Sequence, residues 1–561
     1  MAIDVIPNAV MPDAAMPDVW GPGQLLAMSG VDGPTNWAQP FVLATGASPA
    51  SLEVRLPVAA RISFSATQEI VWERILGDVL IGHTSHGVFG AAFADHHTLI
   101  GQVPLGAVMH VDDTPVGESP ALVAGDGEAR LFAFQWDDRW ALMLRFADEV
   151  PAETSHASVE QIVAARSEFV LTRPMPSGLD ADQTRLLRKA ISVMKVNVHS
   201  PNGEILRRWS TPDRWPHQHM WLWDSAFHAV GVSTIDPALA QDEILAMLEA
   251  VDESGMLPHM VQADGHTSKI TQPPILAWAT LHVLDHGGDP DWARQCLPLL
   301  TRYLEWDLAH RDQNGNGIPE WFIEGNPLCR CGESGQDNSS VYDKAVLLDA
   351  PDFGAFLCND FRCLADIAER LDESAAAGRA RDLSDKTAAA IEQLLWSEEH
   401  ELYCHRTFDG QHVPVKTISG FMPLFAGIPS PDRAAALVSH LENPSTFGAP
   451  APVPSESLDS GTYCKDMWRG PTWMNLSYLV VLGLRRYGYT QQAQVLKGKM
   501  LDTVGRWYAE TGCLYEYYDS LGVTPPGDLD RKQRLISGKG MAPISDYHWT
   551  AALTTALLME S

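Results

Sequence analysis

The spacing of apolar residues changes once along the chain, and this change limits the folds that the chain can adopt. Between about residues 50 and 150 the spacing is two: Leu52, Val54 and Leu56 alternate with polar residues. From about residue 180 onward the spacing is three to four. A spacing of two is typical of strands with one buried face, and a spacing of three to four is typical of amphipathic helices. We therefore expect an antiparallel β-sandwich followed by a helical region.

The two regions meet in a segment where Pro174, Pro176 and Gly178 cluster. We assign residues 1–170 to the sandwich domain and residues 171–561 to the helical domain. The helical region contains twelve candidate helices, which can pair as six hairpins. Six hairpins predict an (α/α)6 toroid, so the expected fold is mainly α, with the toroid preceded by the sandwich. In such a scaffold the loops at one end build the functional site.

Charge and composition exclude several classes of partner. The 561-residue chain has a formal charge of −31, which opposes binding to nucleic acid or to an anionic membrane surface. It lacks a run of about 18 apolar residues, and residues 1–22 lack the basic start and apolar core of a secretory signal. The eight cysteines are expected to be reduced thiols, which favours a cytoplasmic location. The oligomeric state is left open.

Aromatic residues concentrate in one segment that suits carbohydrate binding. Four of the 18 tryptophans fall within 15 residues of one another, inside RWSTPDRWPHQHMWLWDSAFHAVG at residues 208–231. The C–H face of a sugar ring stacks on an indole, and neighbouring carboxylate and imidazole groups bind its hydroxyls. The alternative is a helix start that is packed by core tryptophans.

Two further segments place carboxyl groups in settings that suit proton transfer. Asp337 lies in CGESGQDNSSVYDKAV, residues 331–346, which has neither helical nor strand spacing, and Glu516 stands among tyrosines in CLYEYYDSLG, residues 513–522. Aromatic rings remove water from a carboxylate and make a proton-transfer role feasible. Each segment taken alone also fits a simpler explanation: a solvated loop for Asp337, and a glutamate bonded to tyrosines at the edge of the core for Glu516.

The ordered set WLWDSAFH, ESGQDNS, MWRGPTW, YEYYD and HWTAAL resembles the (α/α)6 inverting glycosidases of the trehalase, family-63 α-glucosidase and mannosylglycerate/glucosylglycerate hydrolase group. The resemblance covers residues 208–553, and family-63 relatives often carry a sandwich in front. It implies that Asp337 is the general acid and Glu516 the general base. It also implies that Asp224 and Trp223 bind sugar hydroxyls in the −1 subsite.

Other residues of the same segments are further candidate sugar contacts. The WRGPTW segment contributes to this pocket in the resembling enzymes. The additional candidates are Trp221, His228, Gln336, Arg469, Trp473, Tyr515 and Trp549.

We predict from this resemblance an exo-acting, inverting α-glycosidase, first of all an α-glucosidase that hydrolyses a small glucoside. The alternatives in the same class are a trehalase and a mannosylglycerate/glucosylglycerate-type hydrolase. An alternative of another class is a non-hydrolytic (α/α)6 protein that binds or isomerises sugars. Inversion requires room for a water molecule, so Asp337 and Glu516 are expected roughly 6.5–9.5 Å apart.

A basic segment follows the candidate base. Residues 519–547 are rich in glycine and proline and carry Arg531, Lys532, Arg534 and Lys539. Such a loop is expected either as a lid over an anionic substrate or as a solvated surface loop. With this loop present, a substrate with a glycerate or phosphate aglycone remains an alternative.

Residues 312–320, DQNGNGIPE, resemble the first half of a calcium-binding loop. Oxygen-bearing residues alternate and a glycine is sixth, although no glutamate stands at the twelfth position. The expected cofactor is a structural Ca²⁺ that stabilises the loop presenting Asp337, and no organic cofactor is expected. An Asx-rich turn without an ion is the alternative. The candidate ligands are Asp312, Asn314, Asn316, Ile318 and Glu320.

Overall fold

The computed structural model describes residues 15–37, 39–48, 50–65, 69–125, 129–146, 158–538 and 540–560. Lys539 and the first 14 residues of the N-terminal segment considered above lie outside these ranges. The chain forms two units: residues 1–196 with 508–513 and 560–561, and residues 197–507 with 514–559. This division falls after Val196, and the domain boundary at residue 170 stays a prediction.

The first unit contains two antiparallel sheets. Its strands are β1 (Leu25–Ala27), β2 (Leu43–Ser48), β3 (Ser51–Leu56), β4 (Ala60–Phe64), β5 (Val71–Leu76), β6 (Val79–Thr84), β7 (Gly87–Asp95), β8 (Thr98–Gln102), β9 (Met109–Val111), β10 (Thr114–Pro115), β11 (Ala121–Gly125), β12 (Ala129–Trp136) and β13 (Arg139–Phe146). One sheet has the order β1-β2-β3-β4-β9-β10, and the other has the order β11-β12-β13-β8-β7-β6-β5.

The two sheets share one apolar core. Leu52 and Val54 of β3 are buried, as their alternation with polar residues predicts. The Phe64 ring of β4 lies 5.3 Å from that of Phe89 in β7 and 5.1 Å from that of Trp140 in β13, measured between ring centroids. These contacts join the inner faces of the two sheets, so the predicted antiparallel β-sandwich is confirmed.

Two helices complete the first unit: α1 (Val159–Thr172) and α2 (Ala181–Val196). Helix α1, which was not among the predicted helices, begins with a capping box between Ser158 and Gln161 and packs against β7.

The second unit is helical. Its helices are α3 (Leu222–Ser233), α4 (Pro237–Leu248), α5 (Leu276–Asp285), α6 (Pro290–Arg311), α7 (Pro351–Arg370), α8 (Ser374–Leu394), α9 (Met422–Ala426), α10 (Pro431–Glu442), α11 (Met474–Arg486), α12 (Thr490–Thr511), whose last residues belong to the first unit, α13 (Arg534–Ser537) and α14 (His548–Met559).

Six helices of this unit form a closed inner ring. Each contacts the next in the order α3, α5, α7, α9, α11 and α14, and α14 returns to α3. Every residue of α3 is buried, whereas α8, which packs outside α7, buries only a stripe. A helix that is buried all round needs neighbours on every side, and the ring supplies them. The predicted mainly α fold with an (α/α)6 toroid is confirmed.

Most candidate residues lie in the loops that lead into the inner helices or in the first turns of those helices. Residues 208–221 precede α3, residues 331–350 precede α7, residues 466–473 precede α11 and residues 514–547 precede α14. Successive inner helices therefore bring segments distant in sequence to one site. Over the described ranges, none of the helices combines the length and apolar character that crossing a bilayer requires.

Candidate active site

A cavity of about 120 Å³ lies among these loops in the second unit. Both candidate catalytic carboxyl groups, Asp337 and Glu516, line this cavity. The other lining residues are Pro212, His217, Trp221, Trp223, Asp224, Gln272, Gly335, Met467, Trp468, Trp473, Arg531, Lys532, Tyr547 and Trp549.

The loop that presents Asp337 is held by a buried glutamate. The carboxylate of Glu333 is fully buried and accepts hydrogen bonds from the backbone N–H groups of Thr271 and Phe322, at 3.0 and 2.7 Å. Arg311 donates two more, at 2.7 and 2.9 Å. A buried charge is stable only with such a complete set of partners. Glu333 therefore ties the loop before α7 to the end of α6 and to the segment before α5.

Gly335 allows close contact between this loop and the aromatic wall. Its φ is +70°, and a Cβ atom added to it would lie 2.3 Å from the Trp223 ring. Both the backbone conformation and the contact require glycine. The ESG segment thus places Trp223 directly against the loop that carries Asp337.

Asp337 forms an ion pair with a residue of the basic segment. Lys532 Nζ lies 2.7 Å from Asp337 Oδ2, and the two side chains are 30% and 22% exposed. The Asp337 carboxylate is the main cause of a raised pKa for Lys532, although desolvation opposes it. His259 also faces this carboxylate, but burial dominates and lowers the pKa of His259 to about 4.

Glu516 is nearly buried and forms an ion pair with the neighbouring residue of the same segment. Arg531 Nε donates to Glu516 Oε2 at 3.1 Å, and the backbone N–H of Ile544 donates to the same oxygen at 3.2 Å. Burial by itself would lower the pKa of Arg531, but the charge and hydrogen bonds of Glu516 outweigh it and raise that pKa. A cation and a backbone donor thus hold the Glu516 carboxylate in place at the cavity.

Asp224 lies in the first turn of α3 with one unused oxygen. The residue is 2% exposed, and its Oδ1 has no hydrogen-bond partner among the described residues. Burial raises the pKa of Asp224 to about 8, and His217 only partly offsets this effect. Burial thus favours the protonated form of this side chain. It is suited to exchange hydrogen bonds with a sugar hydroxyl.

His217 lines the same cavity and contacts the carboxylate of Asp213. Its Nδ1 lies 2.6 Å from Asp213 Oδ2. Desolvation alone would lower the pKa of His217, but the charge and hydrogen bond of Asp213 prevail and raise it.

Tryptophans form the apolar wall of the cavity. Trp468 and Trp473 stack with centroids 3.9 Å apart, and Trp223 meets Trp549 edge to face at 5.4 Å. The indole nitrogens of Trp221 and Trp549 are buried without hydrogen-bond partners in the described part of the chain. Apolar ring faces beside unused polar atoms suit the two kinds of surface that a sugar presents.

Four candidate sugar contacts do not line the cavity. The first, Gln336, is buried beneath it: its Nε2 donates to Asp352 Oδ2 at 2.7 Å and to Ser419 Oγ at 2.9 Å. The second, Arg469, donates from Nε to the backbone oxygen of Asn338 at 2.8 Å. Both residues support the loop that carries Asp337.

The other two are His228 and Tyr515, which are also buried away from the cavity. The His228 ring stacks on His548 with a centroid distance of 3.6 Å, and its Nδ1 lies 2.9 Å from Ser210 Oγ. The Tyr515 ring packs edge to face against Tyr518, with ring centroids 6.2 Å apart. The motifs correctly place these residues near the site. A motif does not specify the direction of a side chain, and both side chains point into the protein interior.

Conversely, several lining residues were not among the candidate site residues. Arg531 and Lys532 were noticed as part of a basic loop, and their position next to each other was the available signal. Arg534 of the same loop donates to the backbone oxygen of Leu529 at 2.8 Å and does not line the cavity. His217 and Tyr547 had no stronger signal than their closeness to recognised motifs.

The calcium interpretation of residues 312–320 stays a prediction. Both Asp312 carboxylate oxygens accept backbone N–H groups, at 3.0 and 2.9 Å, and the side-chain amides of Asn314 and Asn316 donate to Asp349 at 2.8 Å each. These contacts match an Asx-rich turn, and the described residues contain no cluster of three metal-ligating side chains. In favour of a cation, Glu320 Oε1 is buried without a hydrogen-bond partner.

Comparison with known proteins places this site in a family. A model described as the mannosylglycerate hydrolase MGH1-like glycoside hydrolase domain matches residues 217–530. The mannosylglycerate hydrolase of Rubrobacter radiotolerans is 28% identical over 440 residues, which cover 62% of this chain and 92% of that protein. The glucosylglycerate hydrolase of Mycolicibacterium hassiacum is 24% identical over 411 residues, 56% of this chain and 90% of that protein.

A solved structure agrees with this result. The GH63 mannosylglycerate hydrolase from Thermus thermophilus, in complex with glucose, matches with a TM-score of 0.56 and 25% sequence identity. The match covers 67% of this chain and all of that one. The same enzyme in complex with Tris and D-glycerate matches equally well.

Proposed function

Because the chain belongs to the MGH1-like glycoside hydrolase family, we propose that it hydrolyses the α-glycoside of a small anionic aglycone of the glycerate type. The chain is a glycoside hydrolase. The names of its relatives include both mannosylglycerate and glucosylglycerate hydrolases, which favours this alternative over the α-glucosidase that we predicted first. The proposal covers both mannose and glucose as the sugar of the substrate.

One observation carries the anionic part of the proposal. Two adjacent cations, Arg531 and Lys532, line the same cavity as the two candidate catalytic carboxyl groups. A cavity built for a neutral sugar alone needs no second cation beside its acid. An aglycone carboxylate would find a positive partner there, in a protein whose formal charge of −31 would otherwise repel it.

The proposed reaction is a single displacement with inversion. Glu516, ionised beside Arg531, takes a proton from the water that attacks the anomeric carbon. Asp337 on the opposite side donates a proton to the glycosidic oxygen as the bond breaks. Asp224 holds a hydroxyl of the sugar, and the tryptophan wall takes its apolar face.

A substrate panel tests the proposal. Rates are compared for α-mannosylglycerate, α-glucosylglycerate, trehalose, maltose and an aryl α-glucoside, with the Glu516→Gln variant as the control for contaminating activity. We expect kcat/KM for at least one glycerate conjugate to exceed that for each neutral substrate by at least about 10²-fold, the scale set by leaving buried polar groups unpaired. Equal or better turnover of a neutral disaccharide would reject the anionic aglycone. Binding without turnover of any of these substrates would reject the proposed substrate class.

A further inference from the structure

The two ion pairs of the cavity have opposite consequences for catalysis. An adjacent cation favours the ionised form of a carboxyl group. For Glu516 this is the form that a base needs. For Asp337 it is the wrong form, because a general acid has to carry a proton before it can donate one. At the contact of 2.7 Å between Lys532 and Asp337, the candidate acid is thus paired with a cation.

The backbone of Lys532 is fixed, so a change at this contact has to come from its side chain. Asp466 accepts hydrogen bonds from the backbone N–H groups of Lys532 and Gln533, at 2.7 and 3.1 Å. Both residues have left-handed φ values, +51° and +60°, which this carboxylate holds in place. The four-carbon side chain of Lys532 is 30% exposed and meets Asp337 through the single atom Nζ, whereas the side chain of Arg531 is 13% exposed and bound to Glu516 through two nitrogens.

Other titratable groups near Asp337 do not replace this cation. Burial lowers the pKa of His259 to about 4, so its ring is neutral at neutral pH. Burial likewise raises the pKa of the Cys329 thiol, which faces the same carboxylate and stays protonated. Among the described residues that interact with Asp337, Lys532 thus supplies the positive charge at its carboxylate.

We propose that Lys532 changes partner when substrate binds, leaving Asp337 for the carboxylate of the anionic aglycone. This inference rests on the proposed function for the charge of the aglycone. Asp337, without its cation, takes one proton from solvent and donates it to the glycosidic oxygen. The departing aglycone carries that proton as its new hydroxyl, and the proton that Glu516 took from water returns to solvent. Asp337 ends the cycle ionised and pairs with Lys532 again.

The exchange makes the charge of the substrate a requirement for the chemical step as well as for binding. A neutral aglycone offers Lys532 no second carboxylate, so Asp337 remains paired and unprotonated. Lys532 is then a positioning and specificity-determining residue that acts through the protonation of Asp337. Substitution of Lys532 is therefore expected to change kcat as well as KM.

Proton uptake tests the exchange directly, without turnover. D-glycerate is titrated into the full-length protein by calorimetry at about pH 5.5, in buffers with different ionisation enthalpies, and glycerol serves as the neutral control. We expect D-glycerate binding to take up a substantial fraction of one proton, at most about one, because a carboxylate that loses its cation binds a proton more tightly. Asp337→Asn should bind D-glycerate without proton uptake. Lys532→Met should show neither D-glycerate binding nor proton uptake. Binding without uptake in the wild type, or no detectable binding, would overturn the proposal.

Kinetics separate the exchange from the proposed function. The substrates are the glycerate and glycerol conjugates of the same sugar. We expect Lys532→Met to lower kcat/KM for the charged conjugate by about 10²-fold, partly in kcat, as for loss of one partner of a buried charge pair. For the neutral conjugate we expect the same variant to raise kcat/KM, because Asp337 is no longer paired with a cation. Lys532→Arg should restore part of the loss. Equal losses on both substrates would reject the exchange while leaving the proposed function standing. A wild type that shows the proton uptake but hydrolyses no glycerate conjugate would reject the proposed function instead.

Discussion

Arg531 donates two hydrogen bonds to Glu516, from Nε to Oε2 at 3.1 Å and from Nη2 to Oε1 at 3.4 Å. This planar, two-point contact fixes the orientation of the carboxylate at the cavity. The candidate base and its cation come from positions only 15 residues apart, yet the pairing depends on the whole segment before α14.

Replacing Arg531 tests this pairing. We expect Arg531→Gln to lower kcat/KM by about 10- to 10²-fold, the scale of one charge-assisted contact. Without the two-point contact, the Glu516 carboxylate is no longer held in one orientation toward the cavity. The kcat/KM of Arg531→Lys should lie between those of Arg531→Gln and the wild type, because lysine keeps the charge but not the two-point geometry. An unchanged kcat/KM in Arg531→Gln would contradict a role for this pair in catalysis.

Leaving-group dependence separates the two catalytic roles. Asp337→Ala and Glu516→Ala should each lower turnover of the natural substrate by about 10³-fold, within the usual range for acid–base catalysis. A dinitrophenyl glycoside needs no proton on its leaving oxygen. With this substrate, Asp337→Ala should lower turnover much less than it does with the natural substrate, whereas Glu516→Ala should lower turnover equally with both. Asp459→Asn, which removes a carboxylate paired with Lys416 outside the cavity, is the matched control. Circular dichroism checks the fold of each variant, and identical losses on both substrates would argue against the two roles.

The anomeric form of the released sugar tests inversion. A water molecule between Asp337 and Glu516 requires a separation of roughly 6.5–9.5 Å and gives the β-anomer first from an α-glycoside. Proton NMR during the first minutes of hydrolysis, before mutarotation, records this product. Initial α-anomer would indicate a retaining mechanism and a different function for one of the carboxyl groups.

Asp224 links the site to the pH dependence of stability. Its pKa is raised from 3.8 to about 8 in the folded chain. Between these values the folded state binds more protons than the unfolded state, so this residue makes the free energy of unfolding fall as the pH rises. Asp224→Asn removes that contribution. The difference between the melting temperatures of the variant and the wild type should therefore shift in favour of the variant as the pH rises from about 5 to about 8. The kcat/KM of the variant should fall by about 10- to 10²-fold from the lost sugar contact. Melting curves that shift in parallel over this pH range would contradict the raised pKa.

Calcium titration tests the loop at residues 312–320. If these residues bind Ca²⁺, adding it after chelation should raise the melting temperature by a few degrees, as expected from binding to the folded state. The Asp312→Asn variant should lose this response, and Mg²⁺ is the control for a general salt effect. Equal melting temperatures with chelator and with Ca²⁺ would leave the Asx-rich turn as the sufficient description.

The sequence by itself determined the architecture of this protein and the position of its acidic pair. The spacing of apolar residues distinguishes a strand from a helix locally, because it reflects which face each residue presents to the core. The sandwich and the toroid followed from that spacing. The ESGQDNS and YEYYD segments marked Asp337 and Glu516, and the structure brings both to one cavity.

Only the tertiary structure decided which neighbours of these residues face the cavity. Gln336 adjoins Asp337 in the chain but turns into the packing beneath it, toward Asp352 and Ser419. Lys532, remote in sequence, reaches Asp337 because Asp466 holds its backbone in a left-handed turn. The direction of a side chain in a loop depends on contacts made by other segments, and no local spacing encodes those contacts.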